Sequence, residues 1–133
     1  MKDDTLEGKR ILIVDDEPDI LDTLEELLDR CNIDKARDYQ AAKALFEKHT
    51  YDAAILDIMG VSGYDLLEFA TEIKVPALML TAHALNPENL VKSIKNGAYA
   101  YMPKDKITEI ETFLKDILED HQRGIRGLGK WFK

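Results

Sequence analysis

Two short apolar runs that each end in a carboxylate constrain this chain most: Asp52-Ala-Ala-Ile-Leu-Asp57 and Arg10-Ile-Leu-Ile-Val-Asp15-Asp16. Continuous apolar runs of this length read as strands buried on both faces of a parallel sheet. Set side by side, the two strands deliver the carboxylates of Asp15, Asp16 and Asp57 to one rim. Such a cluster of acids suggests a cation.

The other elements alternate with these strands. Asp16-Glu17-Pro18 is a helix start, with an acidic first turn and a proline where its missing N–H costs least. Ile20, Leu21, Leu24, Leu27, Leu28 and Cys31 then recur at helical spacing. Residues 32–36 are a weak strand candidate, and Tyr39 to His49 is a second helix. After Ala53 to Asp57 comes a turn with two glycines, Met59-Gly60-Val61-Ser62-Gly63, then a third helix from Tyr64 to Glu72. Val75 to Thr81 is another apolar strand, Asn86-Pro87 opens a fourth helix ending near Gly97, Ala98 to Met102 is the fifth strand, and the fifth helix runs from Ile107 to about His121. Strands alternating with helices predict an α/β fold, a doubly wound parallel sheet of five strands whose site lies beyond their carboxyl ends. Asp15, Asp16, Asp57, Thr81 and Lys104 all fall at or just after strand ends.

At 133 residues the chain reads as one main domain, residues 9–121, with a lead-in at 1–8 expected to be frayed and a tail at 122–133. With a net charge of −8 the chain as a whole repels a phosphate backbone or an anionic membrane, so a nucleic-acid role would need a local basic patch or a partner, and no direct nucleic-acid contact is expected. No apolar stretch approaches a membrane span, and Met1 to Gly8 lacks the apolar core of a signal peptide, so a cytoplasmic location is expected. Cys31 is the only cysteine, which excludes an internal disulfide and a multi-cysteine zinc site. The tail is basic, broken by glycines, and ends in Trp131-Phe132-Lys133. A disordered tail is the first reading of it and a partner-binding extension the second.

Each rim residue taken singly has an ordinary explanation as a capping acid, a turn residue or a solvated lysine. Their joint placement does not, because solvated acids have no reason to end two central apolar strands. Crowded carboxylates raise one another's pKa unless a cation intervenes. All-oxygen ligands without histidine or thiolate favour Mg2+, or Mn2+, which retains waters and takes a phosphate as well. With Lys104 as a fixed positive charge and Thr81 as a hydroxyl beside Asp57, the pattern suits phosphoryl transfer, Asp57 being the nucleophile.

These residues carry a family resemblance. The order of Ile-Val-Asp15-Asp16-Glu17-Pro18, Ile-Leu-Asp57-Ile-Met59, Leu-Thr81-Ala82 and Gly97-Ala-Tyr99-Ala-Tyr101-Met-Pro-Lys104 resembles the receiver domain of two-component response regulators, over roughly Lys9 to His121. The resemblance implies a flavodoxin-like (βα)5 fold with strand order 2-1-3-4-5. It implies Asp57 as phosphoacceptor, Asp15 and Asp16 with Asp57 as the magnesium-binding acids, and a backbone carbonyl of Met59 on the metal. Thr81 and Lys104 resemble the pair that contacts the phosphoryl oxygens, and Tyr101 the switch aromatic that turns inward with Thr81, altering the surface of the fourth helix, fifth strand and fifth helix. His83 falls where side chains influence access to the phosphoryl group, although a plain surface role is the simpler reading of it. The implied partners are a histidine kinase or phosphotransfer protein and an unidentified downstream protein, with a phosphorylation-dependent homodimer left open.

The chain departs from the family's pattern twice. Its loop after Asp57 is shorter, without the usual proline, and Asp105 stands where the family has a proline after the lysine. Two competing readings remain: a magnesium-dependent phosphatase working through its own aspartyl phosphate, and an unphosphorylated pseudo-receiver scaffold. The phosphatase wants a second acid two residues beyond the nucleophile, a place held by Met59. The intact acids and Lys104 weigh against the scaffold.

Overall fold

A computed structural model of the chain describes residues 5–82 and 87–124. The elements alternate strictly: β1 (Arg10–Val14), α1 (Pro18–Leu27), β2 (Asn32–Ala36), α2 (Tyr39–Lys48), β3 (Ala53–Asp57), α3 (Gly63–Glu72), β4 (Ala77–Thr81), α4 (Pro87–Lys95), β5 (Ala100–Pro103), a 3-10 segment (Lys104–Glu109) and α5 (Ile110–Gln122). The strands form one five-stranded sheet in the order β2-β1-β3-β4-β5, every pairing parallel. This is the doubly wound order expected from the resemblance.

Because successive strand residues point to opposite faces, each apolar run feeds two cores. Ile11, Ile13, Ala53, Ile55, Leu78 and Leu80 pack with Leu21 and Leu24 of α1 and Leu114 and Ile117 of α5. Leu12, Val14, Ala54, Leu56, Ala77 and Met79 face the other way, against Phe46 of α2 and Leu66, Leu67 and Ala70 of α3. Burial on both faces is why β3 and β4 carry no polar residue until their last positions, and β1 none after Arg10. β2 has a single neighbour, β1, and only its last residue, Ala36, is fully buried, which explains its weak sequence signal.

Several boundaries differ from expectation, β4 among them, which starts at Ala77 and not at Val75. Thr5–Gly8 is a packed turn where fraying was expected: Leu6 is 2% exposed, the Gly8 amide donates to the Arg30 carbonyl at 2.9 Å, and Asn32 Nδ2 donates to the Gly8 carbonyl at 3.2 Å. β5 starts at Ala100 and not at Ala98. Helix α5 starts at Ile110 and not at Ile107, after the 3-10 segment. Neither Pro103 nor Glu109 offers a side-chain cap to the segment that follows it, and an uncapped helix start commonly tightens to 3-10 geometry. His83 and the tail from residue 125 lie outside the described residues.

Candidate functional site

The register of the sheet builds the site. Val14 pairs with Leu56, so the next residue on each strand, Asp15 and Asp57, emerges at the same carboxyl edge. Asp57 pairs with Leu80 and Thr81 with Pro103, which brings Thr81 and the start of the Lys104 segment to that edge too. Carboxylate oxygens of Asp15, Asp16 and Asp57 lie within 4.8 Å of one another. Asp15, Asp57 and Thr81 are buried, whereas Asp16 is exposed.

Lys104 closes the cluster. Its Nζ lies 2.9 Å from Asp15 Oδ2, 3.3 Å from Asp57 Oδ1 and 3.2 Å from Glu17 Oε2. The Lys104–Asp105 peptide is trans, as are all described peptides. Asp15 Oδ1 also accepts from the Glu17 amide at 2.9 Å, which orients that carboxylate across the rim.

The electrostatics follow from burial and crowding. Burial, then the Asp15 charge, push the Asp57 carboxyl up to about 6 against the pull of Lys104. Burial also raises Asp15, opposed by the Glu17 amide and Lys104. For Lys104, burial favours the neutral amine, but the bonds and charges of Asp15, Asp57 and Glu17 outweigh it and hold the ammonium at about 12. One ammonium faces four acids, and the donor set is entirely oxygen. That excess negative charge fits a hard divalent cation.

The loop after β3 is held by its glycines. Gly60 has φ +83°, and a Cβ built on it would overlap Asp16 Oδ2 and lie 2.8 Å from Asp16 Cγ. A Cβ on Gly63 would overlap the Asp57 carbonyl oxygen and lie 2.9 Å from Ile58 Cα. Ile58 and Val61 anchor the loop in the core, while the Met59 side chain is 72% exposed.

Tyr101 on β5 is fully buried, in the core that Leu90 and Ile94 of α4 pack against, and its hydroxyl has no hydrogen-bond partner among the described residues. The structure thus brings Asp15, Asp16, Asp57 and Lys104 together and sets Thr81 at the same rim, with Met59 on the adjoining loop. Sequence reasoning missed Glu17, Gly60 and Gly63 as parts of the site. Glu17 had been absorbed into a helix-start signal, and the glycines into a generic turn.

The fold and the rim define a class: doubly wound α/β domains with an acidic, lysine-closed site at the carboxyl edge of the sheet. The chain matches the response regulator receiver domain over residues 11–115, and it belongs to that family. It is 36% identical over 103 residues to the two-component response regulator ARR18 of Arabidopsis thaliana, covering 73% of this chain and 16% of that protein. It is 31% identical over 102 residues to the response regulator protein PilR of Pseudomonas aeruginosa, covering 72% of this chain and 23% of that protein. The chain therefore spans under a quarter of the length of these relatives. A CheY-like receiver domain protein from Methanospirillum hungatei superposes with a TM-score of 0.80 at 29% identity, over 88% of this chain and 98% of that one.

The chain is thus a receiver domain of two-component response regulators, and receiver domains are signalling domains, generally not classical enzymes. Receivers interact with histidine kinases or phosphotransfer proteins, and the family typically binds Mg2+ through acidic residues such as those clustered here. Among the described residues, no helix is long and apolar enough to cross a membrane.

Proposed function

We propose that this receiver accepts a phosphoryl group on Asp57 from a phosphohistidine of a kinase or phosphotransfer protein, and that the change is read at its α4-β5-α5 surface. The observation that carries this reading is the placement of Asp57 Oδ1 3.3 Å from the Lys104 ammonium with its carboxylate among those of Asp15 and Asp16.

An Asp57 oxygen attacks phosphorus, the P–N bond to the donor imidazole breaks, and its electron pair leaves with the imidazole nitrogen. Asp15, Asp16, Asp57 and the Met59 carbonyl would hold Mg2+ (or Mn2+), which supplies charge neutralisation for the phosphoryl oxygens when bound. Lys104 exchanges its contact with the Asp57 carboxylate for the phosphoryl group, and Thr81 donates its hydroxyl to a phosphoryl oxygen. Tyr101, buried on β5 in the core that α4 packs against, holds the inward packing that a moving Thr81 would favour, so α4 is the element whose position reports the modification. The expected setting is the cytoplasm, with a downstream protein or a second copy reading that surface. A phosphatase activity is disfavoured because the exposed Met59, two residues beyond Asp57, offers no acid or base.

Incubation with a small phosphodonor such as phosphoramidate and Mg2+, followed by intact-mass measurement, tests the proposal. One phosphoryl group should add to the wild type and none to Asp57→Asn. An unmodified wild type, under conditions that label a known receiver, would overturn it.

A further inference from the structure

Asp16 is the one acid of the cluster that is exposed, so core packing does not hold its carboxylate toward Asp15 and Asp57. The loop after β3 limits where it can lie. Gly60 sits directly against it, and a Cβ on Gly60 would overlap Asp16 Oδ2 and come within 2.8 Å of Cγ and 3.2 Å of Oδ1. The backbone at Gly60, φ +83°, independently demands glycine. We infer that Gly60 is a positioning residue for the metal site: its missing side chain is the space in which the Asp16 carboxylate rests while it faces the other two acids. The inference rests on the reading of these acids as a Mg2+ site.

Any side chain at position 60 displaces the carboxylate. Because Asp16 is a solvent-facing side chain with rotamers to spare, the collision is relieved by rotation and not by unfolding. The price falls on the metal site: the fold survives, and the cluster loses one aligned oxygen donor. A residue that only shaped the turn would give the opposite result, lost stability with unchanged metal affinity.

Calorimetric titration of Mg2+ into the full chain separates the two. Gly60→Ala should weaken Mg2+ binding about tenfold, the usual scale for losing a group that orients a ligand. Gly60→Asn, whose side chain tolerates left-handed backbone best, should do the same and serves if the alanine variant folds poorly. Gly8→Ala is the control for backbone strain, since Gly8 has φ +72° with nothing among the described residues within 4 Å of a built Cβ. It should bind Mg2+ as the wild type does. Wild-type affinity in both Gly60 variants would overturn the positioning role alone. A wild type that binds no Mg2+ would overturn the metal site itself.

Discussion

The Nζ of Lys104 lies 2.9 Å from Oδ2 of Asp15, an ion pair that joins the segment after β5 to the end of β1. Asp15 is fully buried and the lysine side chain is only 11% exposed, so this contact is shielded from solvent in a way that surface pairs are not. Its removal leaves buried negative charge without compensation. Lys104→Ala should therefore destabilise the metal-free protein at neutral pH by about 3 kcal/mol, the usual cost of breaking a buried pair from one side. Urea denaturation in chelator checks this, and the same variant should label poorly with a small phosphodonor.

Metal-free stability should fall with rising pH through the range in which Asp57 ionises. Its carboxyl is raised from 3.8 to about 6, chiefly by burial and then by Asp15. A raised carboxyl favours the protonated folded state, so this group's contribution is fully present below pH 3.8 and is lost as pH passes about 6. The loss is on the order of 3 kcal/mol. Denaturation curves in chelator across that range should show it, and Asp57→Asn should flatten the profile. Added Mg2+ at neutral pH should stabilise the wild type more than Asp57→Asn.

Tyr101→Phe should raise stability by about 1 kcal/mol, because the buried hydroxyl has no partner among the described residues to lose. If the hydroxyl serves the switch, the gain in resting stability should accompany a weaker response of α4 to phosphorylation. Chemical-shift changes in α4 with and without a phosphodonor read that response.

Gly63→Ala should cost about 2 kcal/mol and lower phosphoryl labelling. Its Cβ would strike the carbonyl of Asp57 itself, and backbone cannot rotate aside as the Asp16 side chain can. Thermal unfolding and intact-mass labelling of the same sample measure both effects.

Anchoring of the lead-in is tested by Leu6→Ala. A leucine with 2% exposure should cost about 3 kcal/mol on truncation, whereas a frayed segment would cost nothing. Urea denaturation decides between them.

Sequence alone determined β1, β3 and β4, the alternation of strands with helices, and the acids at the ends of β1 and β3. That was possible because a strand buried on both faces must be apolar throughout, so β1, β3 and β4 stand out as uninterrupted runs, and a carboxylate at the end of such a run is conspicuous. Asp15, Asp57, Thr81 and Lys104 were therefore legible by position. Tertiary structure alone decided what touches what. The three-acid grip on Lys104, the closeness of Gly60 to Asp16, the burial of Leu6 and the enclosure of Tyr101 each join segments distant in sequence, as in the Lys104–Glu17 bond across 87 residues. Such contacts depend on sheet register and loop path, and a local pattern of residue types carries neither.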